Sequence, residues 1–160
     1  MNKAQIREKS NIMDFVIEKM NSSHITAIAE IERECFSTPW SENSLKEELE
    51  NPNARFFAAV SDGRVIGYAG MHTVLSENYI DNIAVTEAYR KRGVAGALLK
   101  KLEAVAVDEN GEFISLEVRE TNTAAIGLYE KNGYLRVGIR RNFYQKPTEN
   151  AVIMTKEIKK

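Results

Sequence analysis

The sequence holds a single cysteine, Cys35, so no disulfide can close within the chain, and a lone thiol suits a reducing compartment such as the cytoplasm. It holds two histidines, His24 and His72, and neither stands at a spacing from cysteine, acidic residues or the other histidine that marks a metal site. Both read as satisfied surface or core histidines. An excess of one charge is missing too. The 22 Lys and Arg against 23 Asp and Glu leave a formal net charge of −1, so no global basic field argues for a nucleic-acid partner. No apolar run approaches the length of a membrane span, and the first residues carry no signal-peptide core, which sets the expectation of a cytoplasmic chain with no membrane partner. Prolines are scarce, and two of the three, Pro39 and Pro52, stand where apolar helical periodicity stops.

The 160 residues suffice for one domain with a real core and are too few for two ordinary ones. Residues 1–13 are polar and without period, and read as a disordered extension; the domain is expected over residues 14–160. Phe15 to Met20 alternates as a strand. Ser22 or Ser23 can cap a helix with Ile25, Ile28, Ala29 and Ile31 on its inner face, and Ser41 or Ser44 can cap a second through Leu45 and Leu49. Arg55 to Ser61 and Arg64 to Val74 flank Asp62-Gly63, a hairpin signal, and Tyr79 to Val85 follows as a third antiparallel strand. A helix opening at Arg90 carries Val94, Leu98, Leu99, Leu102, Val105 and Ala106 at three-to-four spacing. Phe113 to Val118 reads as a strand buried on both faces. Thr121 or Asn122 caps a helix ending at Asn132-Gly133, and Tyr134 to Tyr144 and Ala151 to Ile158 are the last strands. The order is β-α-α-β-β-β-α-β-α-β-β, an α+β fold in which the strands bracketing the central helix can run parallel.

The stretch with the strongest chemical character is Arg90-Lys-Arg-Gly-Val-Ala-Gly96, at the start of that central helix. A helix N-terminus offers unpaired N–H groups and the positive end of its dipole to an anion. Gly93 lets the backbone come close, and Arg90, Lys91 and Arg92 add charge. No Gly-Lys-Ser/Thr follows, and the pattern is not Gly-x-Gly-x-x-Gly, so neither common phosphate loop fits. The spacing Arg90-x-x-Gly93-x-Ala95 resembles the pyrophosphate loop of the GCN5-related N-acetyltransferases. Four further stretches, Phe36-Ser-Thr-Pro-Trp-Ser41, Asn82-Ile-Ala-Val85, Leu116-Glu-Val-Arg119 with Asn122-Thr-Ala-Ala-Ile-Gly-Leu-Tyr129, and Arg140-Arg-Asn-Phe-Tyr144, resemble the bacterial ribosomal-protein alanine N-acetyltransferases of that superfamily (RimI type). Where that group has a second tyrosine, this chain has Phe143, which brings no hydroxyl.

The resemblance implies the acetyltransferase fold, a mixed and mostly antiparallel sheet with helices on both faces. It also implies acetyl-CoA as co-substrate, no metal, and a protein N-terminus as acceptor, with the enzyme acting as a monomer. It places the coenzyme on the backbone of Ile83, Ala84 and Val85, on Arg90, Lys91, Arg92, Gly93, Val94, Ala95 and Gly96, and on Asn122. The acceptor is placed near Trp40, Arg140 and Tyr144. An α-amine with a pKa of about 8 must lose protons to attack a thioester, and the departing thiolate needs a proton. Glu117, a charge inside an apolar strand, and Tyr129 match the base and acid that the resemblance assigns. On the residues alone, Glu117 reads as well as a solvated strand residue paired with Arg119 or a lysine, and Tyr129 and Trp40 as core aromatics. Cys35 as an acyl-carrying nucleophile is the rival mechanism, disfavoured by Glu32 and Glu34 beside it. A small-molecule amine acetyltransferase and a non-catalytic acyl-CoA sensor are the alternative functions.

Overall fold

The structure, a computed structural model, describes residues 14–158; the extension expected over residues 1–13 lies outside the described residues. Its strands are β1 (Val16–Lys19), β2 (Ala54–Ser61), β3 (Arg64–Val74), β4 (Glu77–Val85), β5 (Phe113–Arg119), β6 (Leu135–Tyr144) and β7 (Glu149–Glu157). Its helices are α1 (Ile25–Cys35), α2 (Glu42–Glu50), α3 (Val94–Asp108) and α4 (Thr123–Lys131). The seven strands form one sheet in the order β1-β2-β3-β4-β5-β7-β6, and only β4 and β5, which bracket α3, run parallel. Helices cover both faces as expected. Ile25, Ile28, Ala29 and Ile31 of α1 and Leu45 of α2 pack with Phe56, Ala58 and Tyr68 on one side. Val94, Leu98, Leu99 and Leu102 of α3 pack with Ile126 and Tyr129 of α4 and the inward residues of β4, β5 and β7 on the other.

Local chemistry sets most boundaries. Asp62 and Gly63 both take positive φ, 49° and 73°, which is what the two-residue turn between β2 and β3 requires. Ser41 Oγ accepts from the Ser44 N–H to cap α2, and Asn122 Oδ1 accepts from the Ala125 N–H to cap α4. Three expectations are corrected. The turn before α1 is capped by Asn21, whose Oδ1 accepts from the Ser23 N–H, rather than by a serine. The central helix starts at Val94 rather than Arg90, because Lys91 and Gly93 hold left-handed φ values of 62° and 82° that no helix continues through. In β5 only Ile114, Leu116 and Val118 are buried; Phe113, Ser115, Glu117 and Arg119 share a half-buried face.

The feature that shapes the site is a bulge in β4. Gly70 of β3 pairs with Asn82 and Met71 with Ile80, so Asp81 is an extra residue with no partner opposite. A bulge bends its strand and increases the local twist. The Asp81 carboxylate is held by His72 Nδ1 at 2.5 Å, while His72 Nε2 meets Glu48 of α2 at 2.8 Å. A neighbouring close approach keeps this corner tight: a Cβ on Gly70 would stand 2.6 Å from the Phe56 ring.

Burial pulls the His72 imidazole down, but the Asp81 and Glu48 carboxylates outweigh it and hold it above its ordinary value. Burial pushes Asp81 up to about 6 against the pull of His72. Both groups therefore bind protons more tightly in the fold than in the unfolded chain. Their contribution is present in acid and is lost as pH rises, first through Asp81 between 3.8 and about 6, then through His72 above its unfolded value of about 6.5. Removing both titrating groups, in His72→Gln with Asp81→Asn, should therefore leave a protein that melts at lower temperature than wild type yet loses less stability between about pH 6 and pH 9. Parallel melting curves across that range would show that no proton is stored at the bulge.

Candidate active site

β4 and β5 are hydrogen-bonded only from Glu77–Phe113 to Ile80–Leu116. At Asp81 the bulge turns β4 away. From there Asn82–Val85 have β3 on one side only, and Glu117–Arg119 have β7 on one side only. Two strand edges thus face each other across a wedge-shaped cleft, and an extended, amide-bearing chain can pair there as an added strand does. Ile83, Ala84 and Val85 lie along one lip. The Val85 carbonyl is already engaged, accepting from Arg90 Nε at 3.0 Å and facing the Cys35 thiol at 3.7 Å.

The first turn of α3 opens beside this lip. Gly93 is its N-cap, and no side chain caps it; the first intrahelical bond runs from the Ala97 N–H to the Gly93 carbonyl at 3.1 Å. The N–H groups of Val94, Ala95 and Gly96 are therefore the unpaired donors of a helix start, with the positive end of the dipole behind them. That arrangement takes an anion such as a pyrophosphate. The three flanking cations separate in role. Arg90 turns back to Val85 and to Cys35 Sγ at 3.4 Å, bracing the loop, while Lys91 and Arg92 are exposed, Arg92 lying over the Tyr89 ring at 5.8 Å.

Glu117 stands on the opposite lip. Its Oε1 accepts from Arg140 Nε at 2.8 Å, so its ionic partner comes from β6 and is neither Arg119 nor a lysine. Tyr129 comes from α4 on the other face of the sheet, buried edge-on against Tyr134 with ring centroids 5.6 Å apart. Burial first, and then the nearness of Tyr144, holds its phenol well above the ordinary range, so it keeps its proton at any working pH. Tyr144 is pushed up to about 12, by burial and then by the Glu117 carboxylate. It thus lies within electrostatic reach of both Glu117 and Tyr129. The Asn122 side-chain oxygen caps α4, next to the same end of the cleft.

Trp40 is a half-buried wall. Its ring lies 5.6 Å from that of Phe56 and 6.5 Å from that of His72, which fits the core reading. Its loop meets the loop after β6, where Ser37 Oγ donates to the Gln145 carbonyl at 3.2 Å. The structure therefore brings the Trp40 loop and the Arg140–Tyr144 strand end together at the mouth of the cleft. Cys35 is half-buried, and burial pushes its thiol up despite Arg90, which is the wrong direction for a nucleophile.

Two groups escape the sequence reading. Glu32 is fully buried, accepting from the Tyr68 hydroxyl, from Asn82 Nδ2 at 2.8 Å and from the Trp40 N–H at 3.3 Å. It ties α1, β3, β4 and the Trp40 loop into one unit, and burial raises its pKa against those three donors. Its signal in the sequence is a carboxylate one turn beyond Ile28, on an otherwise apolar helix face. Arg119 is the second. It holds Glu149, Ser37 and two loop carbonyls, and nothing in the sequence marks those partners. No group of three or more His, Cys, Asp or Glu among the described residues is arranged to hold a metal ion.

Residues 25–134 match the acetyltransferase (GNAT) family. A Bacillus subtilis protein provisionally named as a ribosomal protein bS18-alanine N-acetyltransferase is 35% identical over 139 residues, covering 86% of this chain and 92% of its own. The crystal structure of the ribosomal-protein-S18-alanine N-acetyltransferase from Escherichia coli superposes with a TM-score of 0.84 at 31% identity, covering 92% of this chain and 96% of that one. The fold is also that of Arabidopsis thaliana NAA60, solved in complex with acetyl-CoA, with a TM-score of 0.82 at 21% identity over 91% of this chain and 99% of that one.

Gly93→Val should weaken acetyl-CoA binding by about tenfold or more. A β-branched residue at φ 82° costs about 1–2 kcal/mol of backbone strain, relieved by moving the amides off the phosphate. Apart from Gly93 itself, its chain neighbours and its own helix backbone, no atom of the described residues lies within 4 Å of a Cβ built there, so packing stays intact. Calorimetry showing unchanged acetyl-CoA affinity in the folded variant would exclude this loop as the phosphate site.

Proposed function

The chain belongs to the acetyltransferase (GNAT) family, and from that premise we propose that it transfers the acetyl group of acetyl-CoA to the N-terminal α-amine of a protein, the acceptor being the N-terminal alanine of a small-subunit ribosomal protein. The observation that carries the reading is the cleft itself: two strand edges part beside an uncapped helix start, with a carboxylate on the far lip. The acceptor class rests on the named relatives. We assign the reaction to the cytoplasm, where Cys35 stays reduced.

The chemistry follows from the placement. Acetyl-CoA lies with its pyrophosphate on Val94, Ala95 and Gly96 and its amide arm along Ile83 and Ala84, which sets the thioester between Glu117 and Tyr129. The incoming ammonium competes with Arg140 for the Glu117 carboxylate, directly or through a water, and gives up a proton there. The neutral amine attacks the thioester carbonyl, the C–N bond forms, and the C–S bond breaks as the tetrahedral intermediate collapses, while the nitrogen's surplus proton passes to solvent, from which Tyr129 is afterwards reprotonated. The Tyr129 phenol, kept protonated by burial, supplies the proton that the leaving thiolate takes. Transfer is direct, within a ternary complex.

Glu117→Gln keeps shape and removes the basic oxygen, so kcat/KM should fall about 100- to 1,000-fold near neutral pH, or about 3–4 kcal/mol of transition-state stabilisation. The deficit should shrink above a pH of about 8, where the amine deprotonates unaided. Tyr129→Phe removes the acid, which hydroxide cannot replace, and its deficit should not shrink. Pre-steady-state transfer rates to an alanine-first peptide between about pH 6 and 9 separate the two. Parallel pH profiles would refute the division of labour, and faster turnover of spermidine than of the peptide would transfer the enzyme to the small-amine class.

A further inference from the structure

Arg119 stands two residues beyond Glu117 on the same half-buried face of β5, and its guanidinium donates to four different partners. One guanidinium nitrogen donates to the Pro147 carbonyl at 3.0 Å and to Glu149 Oε1 at 3.1 Å. The other donates to Ser37 Oγ at 3.2 Å and to the Gln145 carbonyl at 2.9 Å. Its flat face lies over the Tyr144 ring at 4.5 Å. The far oxygen of Glu149 accepts from the Thr121 N–H at 2.7 Å, one residue before the cap of α4. One planar side chain therefore joins the loop between α1 and α2, the loop between β6 and β7, the aromatic beside the base, and the start of the helix that carries the acid.

We propose that Arg119 is a specificity-determining positioning residue, which holds the two loops together across the mouth of the cleft and fixes Tyr144 as the wall against which the acceptor's first side chain packs. The proposal rests on the reading of the acceptor as a peptide α-amine. The loops themselves are exposed at Ser37, Gln145 and Pro147 and belong to no helix or strand, so their spacing is not set by the sheet. Among the described residues, the hydrogen bond that links them besides those of Arg119 is Ser37–Gln145, and that hydroxyl also receives Arg119. A forked, planar cation suits such a junction, because it serves two partners from each terminal nitrogen while its face stacks on an aromatic. A lysine keeps a charge for Glu149 and Tyr144 but reaches one loop at a time. Arg119 touches neither reacting atom; it acts through Tyr144 and the loops.

The test is steady-state kinetics on the full chain with alanine-first and phenylalanine-first peptides, and calorimetry with acetyl-CoA. Arg119→Gln should raise KM for the alanine-first peptide about tenfold, consistent with the loss of charge-assisted bonds, while kcat stays within about threefold. Discrimination against the phenylalanine-first peptide should narrow, and acetyl-CoA affinity should hold within about twofold of wild type. Arg119→Lys should recover part of the KM and less of the discrimination. Ser37→Ala, a milder change at an exposed position, should move selectivity the same way by about two- to threefold, and stands in where Arg119→Gln fails to fold. Unchanged KM and selectivity in Arg119→Lys and Ser37→Ala would overturn the proposal, as would a matching loss of acetyl-CoA affinity, which marks a general structural role. Wild-type protein that acetylates no peptide would remove the functional reading and this one with it. Wild-type turnover with unaltered variant selectivity would remove Arg119 alone.

Discussion

Two parallel strands that pair for four residues and then part create the whole site. β4 and β5 are in register from Glu77 to Ile80, and the extra residue Asp81 bends β4 away before the next pair can form. Unpaired strand edges inside a protein are costly unless something else satisfies their N–H and C=O groups. Here they stand open along the cleft, where an amide-rich ligand can pair with them. The bend also explains why α3 begins where it does. β4 ends at Val85, a short turn follows, and the chain can enter a helix only after Gly93 takes its left-handed φ, which sets the bare first turn beside the open edge. Cleft and anion site are consequences of the same detour.

Such a bend needs a support that survives solvent and ligand exchange. It comes from polar groups packed into the α1–α2 side of the sheet. Glu32 gathers Tyr68, Asn82 and the Trp40 backbone, and the Glu48–His72–Asp81 row ties α2 to the bulge. Buried carboxylates are expensive, and here each has compensating donors, so losing one donor leaves a charge stranded rather than merely a contact removed. The Glu32 cluster and Arg119 hold the two ends of one loop at the mouth of the cleft. Glu32 fixes the Trp40 end of the loop after α1, and Arg119 fixes the Ser37 end. The loop after α1 is thereby pinned at two points, while Glu117 and Tyr129 stand on opposite faces of the sheet.

What the sequence discloses is what local chemistry controls. Asp62-Gly63 has one good conformation between two strands, Asn122 sits where a cap is needed, and the Arg90–Ala95 spacing defines a helix start by its own residues. The order of elements, and the parallel pair around α3, follow from periodicity and the crossover rule. The groups that stay hidden all depend on distant partners. Glu32 meets Tyr68 36 positions on and Asn82 50 positions on, and Arg119 meets Ser37 82 positions back. The bulge leaves a faint trace in Asp81-Asn82, two successive polar residues that break the alternation of β4. A start of α3 at Arg90 is too early because the good helix propensity of Arg90, Lys91 and Arg92 is overridden by the left-handed Lys91 and Gly93. The ionic partner of Glu117 is hidden for a register reason: Arg140 pairs with Ala151 of β7, which pairs in turn with Arg119, so its side chain crosses β7 and reaches Glu117 two residues back along β5.

The central claim is that the cleft opened at Asp81 receives the amide arm and pyrophosphate of acetyl-CoA. Amide hydrogen exchange on the full chain, with and without saturating acetyl-CoA, addresses this most directly, because it reads the backbone groups in question. Exchange should slow in residues 82–86 and 93–97, with the β1–β2 edge unaffected. Unchanged exchange in both segments, with protection appearing elsewhere in the sheet, would contradict it.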